Sequence, residues 1–484
     1  MTGQAPSTGW AVWEALDRVA REDAGRVAVR EFDAHGNETA LSYARLLEEA
    51  SSIGAALGER ARPGDRVVLD GTGGWRQVAS LLGAVRAGLW VLPVPMQTTP
   101  FGLEELCARS GAVLVLAPEP RVRGVPWMRW RARDGDPPER GAPPGGVMMV
   151  TSGTTGARKL ALRDAPSLDA DARQVIAAAR LTPADRVLLA VSLAHSYALD
   201  MIAGGLLAGA CLETVPVFDL PTVASRLAGG ATVFPGVPIL FEGLTHRWAG
   251  AGDLRLAFSA GSRLAGSTRA AFTHATGVPV GDLYGATELG TVLFRDPLAP
   301  PNEPGPEPVP VGTPLPGVSV RVLDRDSGRV LACGEEGELA VRSASMLLGY
   351  ADGTLELDDG HFRTGDLARL DGHGRVCLTG RLTHLIEAGG VKLNPVELER
   401  LIEGHPGVRE CLVLPMPASE TITRIRALVV PEPGAGAPTP SALRAYLRER
   451  VGPARVPRQI ELVHELPRSP SGKPMRTLGI GGAV

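Results

Sequence analysis

Lysine is nearly absent from this chain. Of its 50 Lys and Arg residues only Lys159, Lys392 and Lys473 are lysine, and the remaining 47 are arginine. Lysine carries a compact ammonium on a flexible stem, whereas arginine presents a planar fork, so the two are not interchangeable at a chemical site. A GC-rich coding bias would leave scattered survivors, but all three lysines lie in motif-like segments, which favours sites that need an ammonium. Aromatic residues are also scarce, at 4% of the chain, so no aromatic-lined pocket can be read from the sequence. The five cysteines, Cys107, Cys211, Cys333, Cys377 and Cys411, are odd in number and stand at no metal-ligand spacing. That pattern excludes a disulfide framework and a zinc site, and reads as free thiols in a reducing cytoplasm. No apolar run approaches the length of a membrane span. The formal charge of −3 leaves no electrostatic footprint for nucleic acid or an anionic membrane. Met1–Trp10 lacks a basic start leading into an apolar run, so no secretory leader is expected.

What is present is a long α/β pattern. At 484 residues the chain exceeds one compact core and predicts several structural units. Helical spacing over Trp13–Arg21 and Tyr43–Leu57 alternates with the apolar runs Arg66–Leu69 and Leu89–Val94, with a further helix near Val78–Ala87. Alternation of this kind predicts layered α/β structure around a mostly parallel sheet. Residues 118–146 are rich in Pro, Gly, Arg and Asp and predict a surface loop. A second strand–helix series runs from Val147 to Leu293, followed by the proline-rich stretch Pro297–Pro310. Val318–Leu323, Gly337–Val341 and Arg375–Leu378 then predict a small β-barrel-like part or sheet. The last hundred or so residues predict a separate α+β unit, with strands near 385 and 411 and helices near 396 and 442. The expected division is residues 1–380 and 381–484.

Several segments have the composition of a nucleotide site. In Val147–Lys159 an apolar strand enters Thr151-Ser152-Gly153-Thr154-Thr155-Gly156 and closes on Lys159. Glycines let backbone N–H groups approach phosphate oxygens, hydroxyls donate further bonds, and the lysine adds a point charge. The spacing is not GxxxxGK[ST], which argues against a P-loop kinase or GTPase. In Tyr284-Gly285-Ala286-Thr287-Glu288 an aromatic ring can stack on a base, a hydroxyl can reach a phosphate, and a carboxylate can hold Mg²⁺. Asp366, after the turn Thr364-Gly365, suits paired hydrogen bonds to a ribose.

Together these segments resemble the AMP-forming acyl-CoA synthetase and adenylation-domain superfamily. The first is similar to its TSGTTGxPKG phosphate loop, with Arg158 for proline and Leu160 for glycine. The second is similar to YGxTE, and Ser259-Ala260-Gly261-Ser262 resembles the turn bordering adenine. Gly380–Glu399 is similar to the segment where the chain leaves the large domain, and Leu466–Arg476 to the P.T.SGK..R ending. The motifs fall in the family's order across residues 147–476.

The resemblance implies that an acid is activated by ATP as an acyl-adenylate with release of pyrophosphate, then passed to the thiol of CoA or a carrier protein's phosphopantetheine. It implies catalytic roles for Lys473, His195, Thr287 and Glu288, the last as the Mg²⁺ carboxylate. Ser259, Gly261, Ser262, Tyr284, Gly285, Ala286, Asp366 and Arg381 would join the phosphate loop in binding ATP. Thr383 takes the hinge position, followed by His384; Gly389, Gly390 and Lys392 would line the acceptor tunnel. His195, Ser196, Asp200, Gly236 and Gly281 are placed at the acyl pocket. Ser196 stands where amino-acid-activating relatives carry an aspartate for the α-amine, which disfavours an α-amino acid. Asp200 either meets a polar group of the acid or merely caps or solvates its helix. A small carboxylic acid is the expected substrate. The alternatives are transfer of the adenylate to an amine or another small nucleophile, and a nucleotide-binding regulatory protein that has lost catalysis. Retention of Glu288 and Lys473 argues against the second.

Overall fold

The computed structural model describes residues 9–71, 73–95, 98–117, 127–128, 145–151, 159–245, 252–298, 309–351, 353, 355–388, 391–417, 423–434, 436–451, 455–468 and 474–476. Two large sheets form its centre. The seven-stranded one runs, across its hydrogen-bonded order, Gly349–Tyr350, Lys159–Asp164, Gly146–Thr151, Trp90–Val94, Arg66–Asp70, Leu114–Leu116 and Trp127–Met128. The nine-stranded one is parallel through Val280–Ala286, Leu256–Ser259, Val233–Gly236, Arg186–Leu189, Cys211–Thr214 and Val27–Phe32, with antiparallel strands at both edges. Parallel strands buried on both faces need near-continuous apolar sequence, and Arg66–Asp70 and Leu256–Ser259 supply it.

Helices Ala11–Glu22, Tyr43–Gly58 and Gly74–Arg86 occupy the predicted helical segments. The second starts where the Ser42 hydroxyl accepts from the Arg45 amide, satisfying a first-turn N–H that has no partner within the helix. It lies against the third so closely that a Cβ on Gly83 would be 2.4 Å from the Ala50 carbonyl oxygen. Only glycine lets the two backbones meet there.

The predicted barrel or sheet takes the sheet form: Ser319–Leu323, Gly337–Arg342, Phe362–Leu370 and Val376–Arg381 pair antiparallel. Phe362–Leu370 had no strand expectation, because Thr364-Gly365 reads as a turn; Gly365, at φ 73°, marks an irregularity within the strand. Beyond Arg381 a smaller unit has its own core of Ile386, Leu398, Ile402, Val413, Ala427 and Leu443, among others. Its three-stranded sheet comprises Val408–Pro417, Thr423–Pro431 and Gln459–Leu462. The segment 118–146 lies mostly outside the described residues; Trp127–Met128 within it is a short strand. All five cysteines are unpaired. Among the described residues no helix is long and apolar enough to cross a membrane.

Candidate active site

The nine-stranded sheet carries two of the motifs, around Ser259 and Tyr284, toward the carboxyl ends of its parallel strands, where open α/β sheets bind ligands. Gly236, Ser259 and Asp282 stand in register on three neighbouring parallel strands. Ser259 is buried, and its hydroxyl has no hydrogen-bond partner among the described residues. Gly261 follows at φ 84°, in the left-handed region that favours glycine, and turns the chain through Ser262.

Tyr284, Asp366 and Arg381 converge from two sheets. The Tyr284 hydroxyl donates to Asp366 Oδ2 at 2.7 Å, and Arg381 Nε lies 3.1 Å from Asp366 Oδ1. Burial, with the Asp366 charge next, pushes the tyrosine well above its ordinary range, so it is a fixed donor. Asp366 thus accepts the tyrosine hydroxyl at one oxygen and faces the Arg381 guanidinium with the other. Gly285 permits the tight hairpin, since a Cβ there would be 2.3 Å from the Gly290 carbonyl oxygen. Ala286, Thr287 and Glu288 form its half-buried tip.

Thr151 ends its strand buried and in register with Lys159, so residues 152–158 connect an antiparallel pair. Ser152, Gly153, Thr154, Thr155 and Gly156 lie outside the described residues. Lys159 Nζ sits 4.8 Å from the centroid of the Tyr350 ring, and the Tyr350 hydroxyl donates to Glu288 Oε1 at 3.3 Å. This aromatic bridges the phosphate-loop lysine and the candidate metal carboxylate, yet no sequence expectation covered it. A usable signal was its rarity, as one of five tyrosines. Among the described residues no cluster of three His, Cys, Asp or Glu could hold a metal. The donor set fits Mg²⁺ nonetheless, because that ion is commonly held by one or two carboxylates together with substrate phosphates and water. Glu288 would supply the carboxylate.

His195 is exposed and stands just before the helix Ser196–Leu207, with Ser196 half-buried at its first turn. Asp200 is 4% exposed and pairs with Arg163 at 3.1 Å, so it does not solvate its helix. The helical period turns it inward beside the Arg163 guanidinium, and burial, then the charge of Asp171, push its carboxyl well above the usual carboxylate range. Gly236 and Gly281 are both closely packed. A Cβ on Gly236 would meet the Phe241 ring at 2.6 Å, and one on Gly281 the Arg295 carbonyl oxygen at the same distance. Close packing thus accounts for both glycines.

Thr383 is exposed in the short turn Leu382–His384. Burial, then the charges of Arg476 and Arg381, push His384 down to about 4, so it is neutral at neutral pH. Gly389, Gly390 and Lys473 lie outside the described residues, as does the side chain of Lys392, which belongs to the strand Val391–Leu393. The described residues Arg468 and Arg476 make ion pairs. Arg468 pairs with Glu410 at 2.7 Å and reaches Glu242 of the large domain at 3.3 Å, while Arg476 forks onto Glu399 at 2.6 and 2.7 Å. The Met475 amide donates to the Pro467 carbonyl at 2.8 Å.

The family profile described as "AMP-binding enzyme" matches residues 16–351, and "AMP-binding enzyme C-terminal domain" matches residues 397–473. The chain belongs to this family, the adenylate-forming acyl-CoA synthetase superfamily, and is an AMP-forming ligase. A feruloyl-CoA synthase of Amycolatopsis sp is 31% identical over 94% of this chain and 96% of its own. A sulfoacetate–CoA ligase of Cupriavidus necator is 30% identical, covering 90% of this chain and 91% of its own. Among solved structures, ATP-bound MatB from Rhodopseudomonas palustris superposes with a TM-score of 0.83 at 27% identity, over 95% of this chain and 96% of that one.

Proposed function

We propose that this protein activates a small carboxylic acid with ATP and Mg²⁺, releasing pyrophosphate, and transfers the acyl group from the adenylate to the thiol of CoA. The observation that carries this reading is a pair of clusters, Tyr284 with Asp366 and Arg381, and Glu288 with Tyr350 and Lys159, linked by the short segment Tyr284–Glu288. The first group suits a nucleoside, the second a metal-bound polyphosphate. In this reading Asp366 and Arg381 bind the ribose, Tyr284 stacks on adenine, and Thr151 through Lys159 cradle phosphate. The acid's carboxylate attacks the α-phosphorus and the bond to pyrophosphate breaks, which needs alignment and charge neutralisation but no general base. Lys473 bridges the carboxylate and the α-phosphate in that step, with Thr287 beside it and His195 bordering the acid.

The inward turn of Asp200 and the presence of Ser196 leave no carboxylate of that helix for an α-amine, which supports a simple acid over an amino acid. CoA is favoured as acceptor by the two relatives, both named for CoA thioesters. The join between domains is placed at Arg381, with Thr383 as hinge and Gly389, Gly390 and Lys392 along the acceptor path.

Acid-dependent ATP–pyrophosphate exchange across aryl, alkyl and hydroxy acids tests the proposal, with CoA, a carrier protein and amines supplied in turn as acceptors. Lys473→Ala should lose about 3–4 kcal/mol of transition-state stabilisation, or roughly 10²–10³-fold in exchange rate. Exchange that survives this substitution unchanged would remove Lys473 from the mechanism. Measurable ATP binding without exchange for any acid would instead favour a regulatory nucleotide-binding protein.

A further inference from the structure

We propose that Arg163, with Asp171 and Asp200, is a positioning node that presets the Thr287–Glu288 turn against the strand carrying Lys159. The inference rests on the reading of Glu288 as the Mg²⁺ carboxylate.

Arg163 has no exposed surface. Its guanidinium donates to Asp171 at 2.6 Å and Asp200 at 3.1 Å, and reaches the Ser167 carbonyl at 3.4 Å. These groups come from the strand Lys159–Asp164 and the helices Ala165–Ala179 and Ser196–Leu207. A fourth element, the hairpin strand Gly290–Arg295, closes on the same cluster. The Thr291 amide donates to the second oxygen of Asp171 at 2.9 Å, and the Thr291 hydroxyl lies 3.5 Å from Asp200. Gly290 has φ 72°, and a Cβ there would be 2.4 Å from Asp171 and 2.9 Å from Arg163. The exit of the turn that presents Glu288 is therefore seated directly on the ion pairs.

The other side of that turn is tied to the same strand. Tyr350 bonds the Glu288 carboxylate and pairs with Ala161, one residue from Leu162, whose carbonyl accepts from the Leu348 amide at 2.7 Å. The Leu347 amide donates to the Glu288 carbonyl oxygen at 2.8 Å. Lys159 begins this strand and Arg163 lies near its end. The strand belongs to the seven-stranded sheet and the hairpin to the nine-stranded sheet, so the node joins the two sheets beneath the candidate polyphosphate site.

Cohesion alone does not call for such a cluster. Buried charges surrender hydration, and apolar replacements of similar volume are often as stable or more so. What a planar fork adds is a fixed angle between its partners. The node's contribution is therefore geometric: it holds a turn whose displacement by about 1 Å would cost on the order of 10²-fold in rate.

Arg163→Lys keeps the charge but loses the fork, while Gly290→Ala pushes the turn off the node without altering any charge. Exchange kinetics would be measured against Mg²⁺ concentration, with calorimetry of ATP binding in EDTA and in Mg²⁺. Each variant should lower kcat on the order of 10²-fold and raise the half-saturating Mg²⁺ concentration, with the KM for the acid nearly unchanged. ATP affinity in EDTA should stay near that of the unmodified protein, and the gain conferred by Mg²⁺ should shrink. Folded variants with unaltered Mg²⁺ dependence would overturn the proposal, as would an equal loss of ATP affinity in EDTA. Should either variant fail to fold, Asp200→Asn, near-isosteric, is expected to shift the same readouts less, and no shift in it overturns the proposal. Absence of exchange in the unmodified protein would overturn the proposed function instead, while the calorimetric comparison would still test the node.

Discussion

Replacing Tyr284 by Phe removes one hydroxyl and leaves the ring. That hydroxyl donates to Asp366 at 2.7 Å from a half-buried position, and a hydrogen bond to a charged group is worth about 1.5–3 kcal/mol. The competing support is Arg381, whose side chain is 42% exposed, so solvent screens its pull to about 0–1 kcal/mol. Tyr284 is thus the stronger of the two groups that aim Asp366. If Asp366 reads the ribose hydroxyls, Tyr284→Phe should erode the preference for ATP over 2′-deoxy-ATP and 3′-deoxy-ATP by roughly 10- to 10²-fold, the ratio equivalent to that energy. Adenine stacking should persist because the ring remains. Calorimetric affinities for the three nucleotides would measure this, with a thermal melt to establish folding. An unchanged discrimination ratio in a folded variant would refute the argument. Equal weakening toward all three nucleotides would show that the hydroxyl supports the fold and not ribose recognition.

Two further predictions concern packing and pH. Burial, followed by the charge of Glu410, pushes Glu242 up to about 7, with Arg468 and Arg409 opposing. The folded protein therefore holds a proton that an unfolded chain releases near pH 4.5. The associated stability is fully present below that value and is lost as pH rises through about 7. Glu242→Gln should flatten this slope in melts taken across the same range; an unaltered slope would show that Glu242 does not titrate there. In the core, Gly83→Ala would place a Cβ 2.4 Å from the Ala50 carbonyl oxygen and 2.9 Å from the Gly54 amide nitrogen. Both are backbone atoms, so the helices must separate, at a cost of about 1–3 kcal/mol. Denaturant unfolding should report that loss, and full stability in the variant would contradict the close approach.

Much of the architecture was legible because its signals are local. Apolar runs at Arg66–Leu69 and Leu89–Val94 and helical spacing at Tyr43–Leu57 identify buried strands and a helix from neighbours in sequence alone. Phe362–Leu370 was missed because a glycine at positive φ imitates a turn inside a strand. Within the candidate site, Tyr284 and Asp366 were expected to contact different parts of a nucleotide. Their direct bond, between residues 82 apart, emerged only with the fold.

The order and chemistry of the motifs were determined by the sequence itself. Glycines, hydroxyls and a rare lysine at Thr151–Lys159 state a phosphate-binding composition whatever surrounds them. Tertiary structure decided what each carboxylate meets. Asp200 and Glu288 are equally acidic in sequence, yet one closes on Arg163 in the core while the other meets Tyr350 beside Lys159. The reason is physical: a carboxylate's role depends on which groups bond it, and the bonding groups here lie 37 and 62 residues away along the chain. Sequence spacing carries no information about those pairings until the two sheets meet.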